Sequence, residues 1–214
     1  MPTPETLGLF ALAALALLVV PGPAVIYIVN RSVSQGRAIG LISMLGIQTG
    51  AAVHVTFAAL GLSAILMSSA TAFNAVKYLG AAYLVYLGVR TLLTKPAHLP
   101  TALPKVTARR AYAQGVVVNV LNPKTALFFL SFLPQFVDTD RGPVVTQTLV
   151  LGAVFILLAM CSDGAYAIAA SAVRDVLLRS KTWLRVQRYV SGSVFVGLGL
   201  LAAMTGTHRT TASS

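Results

Sequence analysis

The sequence predicts an all-α integral membrane protein, a single domain over residues 1–214 with six transmembrane helices. They form two inverted three-helix repeats whose first helices are broken. Three observations carry this expectation. The 214 residues are 57% hydrophobic and 10% charged, with a mean hydropathy of +0.81, whereas soluble domains average about 25% charged. Six segments reach the ~20 apolar residues that a span needs, roughly 7–29, 39–67, 73–93, 112–136, 144–173 and 189–206. Prolines interrupt the first and the fourth of these, in VVPGPAVIYIVN (19–30) and VVVNVLNPKTALFFLSFL (116–133).

The first span begins without a basic leader segment and carries Glu5 as its only early charge, so it reads as a retained helix rather than a cleaved signal. Pro21, Gly22 and Pro23 then break it. The second span holds Gly46 and Gly50 in a GxxxG pattern, with Gly61 further on, a signature of close helix packing more than of ligand contact. His54 lies on the same helix. With no second ligand at metal spacing, it reads first as a packed core histidine and only then as a proton-coupling candidate. In the third span Tyr78, Tyr83 and Tyr86 run beside Gly80, Ala81 and Ala82, and these tyrosines either line a pathway or gather at the membrane interface.

The fourth span contains Asn122-Pro123-Lys124, which has the form of a helix start. Asn is a favoured N-cap, and Pro suits the first helical position because its missing N–H would be unpaired there anyway. A half-helix beginning at that point aims unpaired N–H groups and a positive dipole end into the membrane interior, where a carboxylate is welcome. Lys124 lies about 12 residues from either end of its span, ~18 Å at 1.5 Å per residue, too deep for easy snorkelling. The fifth span carries Asp163, the only acidic residue in any expected span, about ten residues or ~15 Å from one end. An intramembrane carboxylate costs roughly 2.5–3.5 kcal/mol on insertion scales. Asp163 at the depth of Lys124 is therefore a proton-coupling candidate, with a structural Asp–Lys tether between helices as the alternative. Cys161 stands alone, which excludes an internal disulfide and a CxxC centre. The sixth span, at 189–206, adds no candidate.

The basic charge follows topology. Three loops on one side carry Arg31 and Arg37, then Arg90, Lys95, Lys105, Arg109 and Arg110, then Arg174, Arg179, Lys181, Arg185 and Arg188, most of the 16 lysines and arginines. The other side holds Lys77, Arg141 and Arg209 with Glu5, Asp138 and Asp140. By the positive-inside rule the basic loops are cytoplasmic and both termini face outward. A sequence pI near 10.4 thus reflects orientation and lipid headgroups rather than nucleic acid.

Six spans divide into two sets of three, and an odd number per set places a duplicated unit upside down relative to its copy. Both proline breaks fall in the first span of a set. Interrupted helices at matching positions of two halves point to a transporter's binding site, because half-helix ends present unpaired backbone groups to a ligand. Prolines that merely kink helices are the bland alternative.

PGPAVIYIVNRSVSQGRAIGLISMLGIQTGAAVHV, LGAAYLVYLG, NVLNPKTALFFLSFLPQFV and RYVSGSVFVGLGL together resemble the LysE/RhtB family of amino-acid exporters, over about residues 5–203. The resemblance implies a bacterial inner-membrane protein that exports amino acids or relatives such as threonine, homoserine, homoserine lactone or lysine by proton antiport. Some members carry an acidic residue near the position of Ala51, where this chain reads GAAVH.

The expected reading is a membrane exporter, not an enzyme. Pro21, Gly22, Pro23, Asn122, Pro123 and Lys124 would bind substrate, and Asp163 and His54 would couple protons. No cofactor or metal is implied. The partners are a small amino-acid substrate, protons, the lipid bilayer and, in principle, further copies of the chain. An intramembrane enzyme lacks a nucleophile–base pair or an HExxH motif in this sequence. A metal-cation exporter, the main alternative, would want several intramembrane carboxylates or histidines.

Overall fold

The structure, a computed structural model, describes residues 1–68 and 105–172 and the isolated positions 78, 82, 85, 86, 89, 93, 189, 193, 196 and 200. Apart from those positions, the expected third and sixth spans lie outside the described residues, as do Gly80, Ala81 and Tyr83. Every element among the described residues is helical: α1 (Pro4–Val19), α2 (Pro23–Gln35), α3 (Arg37–Ser68), α4 (Ala108–Val120), α5 (Pro123–Leu127) and α6 (Val144–Ala172). A π-helical turn at Phe128–Phe132 and a 3-10 turn at Leu133–Phe136 continue α5 outward.

Local chemistry sets the boundaries. Thr3 caps α1, its hydroxyl accepting from Thr6 N at 3.1 Å, and Pro4 opens the first turn. Thr107 starts α4 in the same way, accepting from Arg110 N at 3.3 Å. Between α2 and α3, Gly36 adopts a φ of +88°, a conformation that costs glycine little, so a single residue reverses the chain. The two proline-marked breaks are real. α1 and α2 meet at 53°, and α4 meets the α5 segment at 46°, each pair being apolar and long enough to count as one bent span. α3 and α6 are unbroken candidate spans.

The second unit runs opposite to the first. At one end the Met1 ammonium donates to Arg141 O, so α1 begins beside the loop that precedes α6. At the other, Gln35 Nε2 donates to Val106 O at 2.8 Å, so α2 ends where α4 begins. The broken pair α1–α2 therefore travels from the first end to the second, and the broken pair α4–α5 travels back. α3 runs alongside α4 and antiparallel to α6, with Gln48 beside Asp163 and Gly152 against Val55.

Gly46 and Gly50 of α3 pack, as GxxxG suggested, whereas Gly61 has no neighbour within 4 Å among the described residues. A Cβ on Gly46 would lie 2.2 Å from Tyr112 O, and one on Gly50 would lie 2.8 Å from Asn119 Cβ and 2.9 Å from Val116 O. Gly115 answers from α4, where a Cβ would sit 2.6 Å from Ser43 O. Backbones this close exclude any side chain at the crossing. Apolar residues such as Leu12, Phe57, Leu60, Leu157 and Ile168 point outward, while Gln48, Asn119, Asn122, Lys124, Thr125 and Asp163 are buried. Apolar outside and polar inside is the arrangement for a protein whose solvent is lipid.

Candidate functional site

A helix ends with carbonyls that no later N–H reaches, and two prolines just beyond α1 supply none. The Val20 N–H still reaches Leu17 O at 3.2 Å, and the lysine of the other break supplies further donors. Lys124 Nζ donates to Leu17 O at 2.7 Å and also to Val20 O, and Tyr166 Oη donates to Val19 O at 2.6 Å. Lys124 thus leaves the positive end of its own helix and reaches the negative end of α1, where the dipole favours a cation. Its backbone N–H is capped by Asn122 Oδ1 at 3.1 Å. Gly22 makes the crossing passable, since a Cβ there would come within 2.9 Å of Lys124 Cδ. Gly22 is also the N-cap of α2 and offers that helix no side-chain cap.

Gly22, Asn122, Lys124 and Asp163 share one cavity, together with Gln48 and Ala51 from α3, Asn119 and Thr125 from the second break, and Ala24 and Val25 from the first turn of α2. Its volume, about 30 Å³, admits on the order of two waters and no free amino acid. Asp163 is 3% exposed and accepts from Gln48 Nε2 at 2.8 Å. The opposite charges of Asp163 and Lys124 attract one another. The cavity therefore has a cationic side, made by Lys124 and the uncapped start of α2, and an anionic side at Asp163.

The other expected residues lie elsewhere. Pro21, Pro23 and Pro123 are not in the wall; they shape the backbone, and Pro23 and Pro123 are exposed. His54 is outside the cavity. Its Nε2 is 2.9 Å from Asn119 O, and its ring lies nearly parallel to Phe129 with centroids 6.4 Å apart. Among the described residues no group of three or more His, Cys, Asp or Glu is placed to hold a metal ion.

Sequence reasoning passed over Gln48, Asn119 and Thr125. Asn119 Oδ1 accepts from Thr125 Oγ1 at 2.9 Å and from Asn122 Nδ2 at 3.2 Å, while Asn119 Nδ2 donates to Ile47 O at 2.7 Å. This network holds the second break against α3. The signal was present in the spacing: polar residues recur at every third position, Asn119, Asn122 and Thr125, across the break itself. Ala51, one turn beyond Gln48, lines the cavity at the position where related sequences were expected to carry an acid.

Different chemistry flanks the cavity on its two sides. Toward the Gln35 end, Arg31 is 4% exposed, donating to Gln114 Oε1 at 2.8 Å and Gln35 Oε1 at 3.2 Å, and Tyr27 Oη donates to Ala111 O at 2.8 Å. Arg31 is more than a loop charge. Toward the other end, Phe10, Phe128, Phe129, Phe132 and Phe155 form a buried aromatic cluster.

A family model described as LysE type translocator matches residues 15–206. Among curated relatives, the chain is 28% identical over 202 residues to the uncharacterized membrane protein YrhP of Bacillus subtilis, covering 90% of this chain and 95% of that one. It is 31% identical over 196 residues to an uncharacterized membrane protein of Vibrio cholerae, covering 91% of this chain and 94% of the relative. It is 28% identical over 195 residues to the homoserine/homoserine lactone efflux protein of Salmonella typhimurium, with coverage of 91% and 94%. No solved structure matches the chain.

Proposed function

The chain belongs to the LysE type translocator family of membrane proteins, and from that premise we propose that it exports small amino acids or their close derivatives by exchange with protons. The observation that carries this reading is the pairing of opposite charges, Lys124 and Asp163, on one buried cavity where the two helix breaks meet. Once the cavity has opened, its two charged sides match the two charged ends of a zwitterion. Its carboxylate takes the Lys124 ammonium and the open start of α2, and its ammonium takes Asp163. Homoserine, threonine and homoserine lactone are the substrates to try first, since one relative is named for homoserine and its lactone.

Asp163 then serves two ligands in turn. With substrate bound, the ammonium stabilises the carboxylate; a proton arriving from outside neutralises it and releases the substrate. Because one carboxyl holds one or the other, the two move in opposite directions. If one zwitterion leaves as one proton enters, each 100 mV supplies about 2.3 kcal/mol, enough for a gradient of roughly fiftyfold. The narrowness of the cavity means that loading requires one end to open, either at the Arg31–Gln114 contact or at the phenylalanine cluster. The proposed orientation sets the basic loops in the cytoplasm of a bacterial plasma membrane, with the termini outside.

The test is counterflow. Purified protein in liposomes loaded with unlabelled homoserine should accumulate labelled homoserine, and a panel of amino acids, lactones and divalent metals should be compared as competitors. Competition by metal ions with none by amino acids would overturn the reading in favour of cation export.

A further inference from the structure

Resting on the export reading above, we propose that Gln48 contacts the substrate and restricts the cavity to unsubstituted primary ammonium groups. Gln48 is 6% exposed, and its Nε2 donates to Asp163 Oδ2 at 2.8 Å. Its Oε1 is buried and has no hydrogen-bond partner among the described residues. Both Gln48 and Asp163 line the same cavity.

Buried acceptors are nearly always satisfied, and an orphan in a cavity wall calls for a donor from whatever occupies the cavity. The orientation of the amide is dictated by its neighbour. An ionised carboxylate only accepts, so it holds the NH2 end of Gln48 and turns Oε1 away from itself. The result is a pair of acceptors, one charged and one neutral, held by two packed helices. Substrate groups answer this pair unequally. A primary ammonium carries three N–H donors and a positive charge, so it can serve Asp163 and Gln48 Oε1 together. A hydroxyl has one donor, and an acylated nitrogen has one N–H and no charge, so either leaves an acceptor unmade. A site built to hydrogen-bond a donor discriminates strongly against analogues that lack it, because its own buried groups are then left unpaired. Gln48 thus adds a filter that Asp163 alone does not supply, against N-acylated amino acids and lactones and against α-hydroxy acids.

The test uses the full chain in liposomes and reads inhibition of labelled L-homoserine exchange. L-homoserine lactone and N-acetyl-L-homoserine lactone are the competitors; both lack a carboxylate, so contacts on the Lys124 side are matched. Wild-type protein should favour the free amine by about tenfold or more. Gln48→Met keeps the length of the side chain and removes both the Oε1 acceptor and the Nε2 donor to Asp163; the lost donor bears on both competitors alike, so the preference for the free amine over the N-acetyl compound should fall about tenfold. Equal weakening of both competitors, or an unchanged ratio, overturns the proposal. Should Gln48→Met fail to insert, Gln48→Ser, which retains a small polar group, carries the same comparison, and the same two results decide it. Absence of amino-acid exchange in the wild-type protein would instead overturn the export reading itself, and that result is seen before any variant is made.

Discussion

A lysine at mid-membrane depth needs acceptors and a counter-charge close by. Lys124 has the carbonyls of Leu17 and Val20 and the field of Asp163. Removing it therefore affects two things. In Lys124→Ala, Val20 O loses the Lys124 donor while Leu17 O keeps the Val20 N–H, at about 1–3 kcal/mol for an unsatisfied group, and thermal unfolding in detergent should report a lowered Tm. Transport should lose selectivity as well: homoserine exchange should fall about tenfold more than homoserine lactone exchange, since only homoserine has a carboxylate to bind. Equal losses on both substrates would make Lys124 a structural pin. At Asp163 the expected outcome differs. Asn keeps the size and can still accept from Gln48 Nε2, so Asp163→Asn should fold and retain exchange of labelled for unlabelled substrate. It should no longer convert an imposed pH gradient into net flux, because Asn does not titrate. Undiminished pH-driven flux in that variant would reject Asp163 as the coupling group and direct attention to His54.

The breaks and the crossings are properties of elements. Pro-Gly-Pro was legible as a helix interruption because proline removes a donor and fixes φ, whatever surrounds it. What the interruption is for was not legible, since every residue has a carbonyl and only the packed helices decide which carbonyls stay open. Gly22→Ala tests the join. Its φ of −110° suits alanine, and the new Cβ presses only on Lys124 Cδ at 2.9 Å, a flexible side chain. Tm should therefore fall by no more than in Lys124→Ala, while exchange of carboxylate substrates drops as the ammonium is pushed aside. The α3–α4 crossing should behave in the opposite way. Gly46→Ala drives a Cβ to 2.2 Å from Tyr112 O, and backbone cannot step aside cheaply, so a loss of about 1–3 kcal/mol is expected. Gly61→Ala, with nothing within 4 Å, should be neutral or slightly stabilising and serves as the control.

At the scale of the whole molecule, two end contacts fix which loops share a side. Met1 meets Arg141, and Gln35 meets Val106. In the orientation proposed above, the turn at Gly36 and the segment before α4 face the cytoplasm. Reporter fusions at residues 36 and 105 should accordingly be active in the cytoplasm and a fusion at 140 active outside. A fusion at 140 on the same side as one at 36 would break the bent-span architecture into re-entrant loops.

The sequence by itself determined the solvent, the helical class, the places where two helices break and the two charged residues that needed a partner. Each of these follows from composition or from a property of one residue: transfer of apolar side chains into lipid, the missing N–H of proline, the cost of a charge in hydrocarbon. Only the tertiary structure decided that Lys124 serves α1 rather than its own helix, that His54 turns to Asn119 rather than to the cavity, and that Gln48 stands beside Asp163. Gln48 and Asp163 are 115 residues apart in the chain. Neighbours brought together over such separations depend on how α3 and α6 cross, and that is set by the summed packing of many small contacts; GxxxG marks where α3 packs closely but not which helix it packs against.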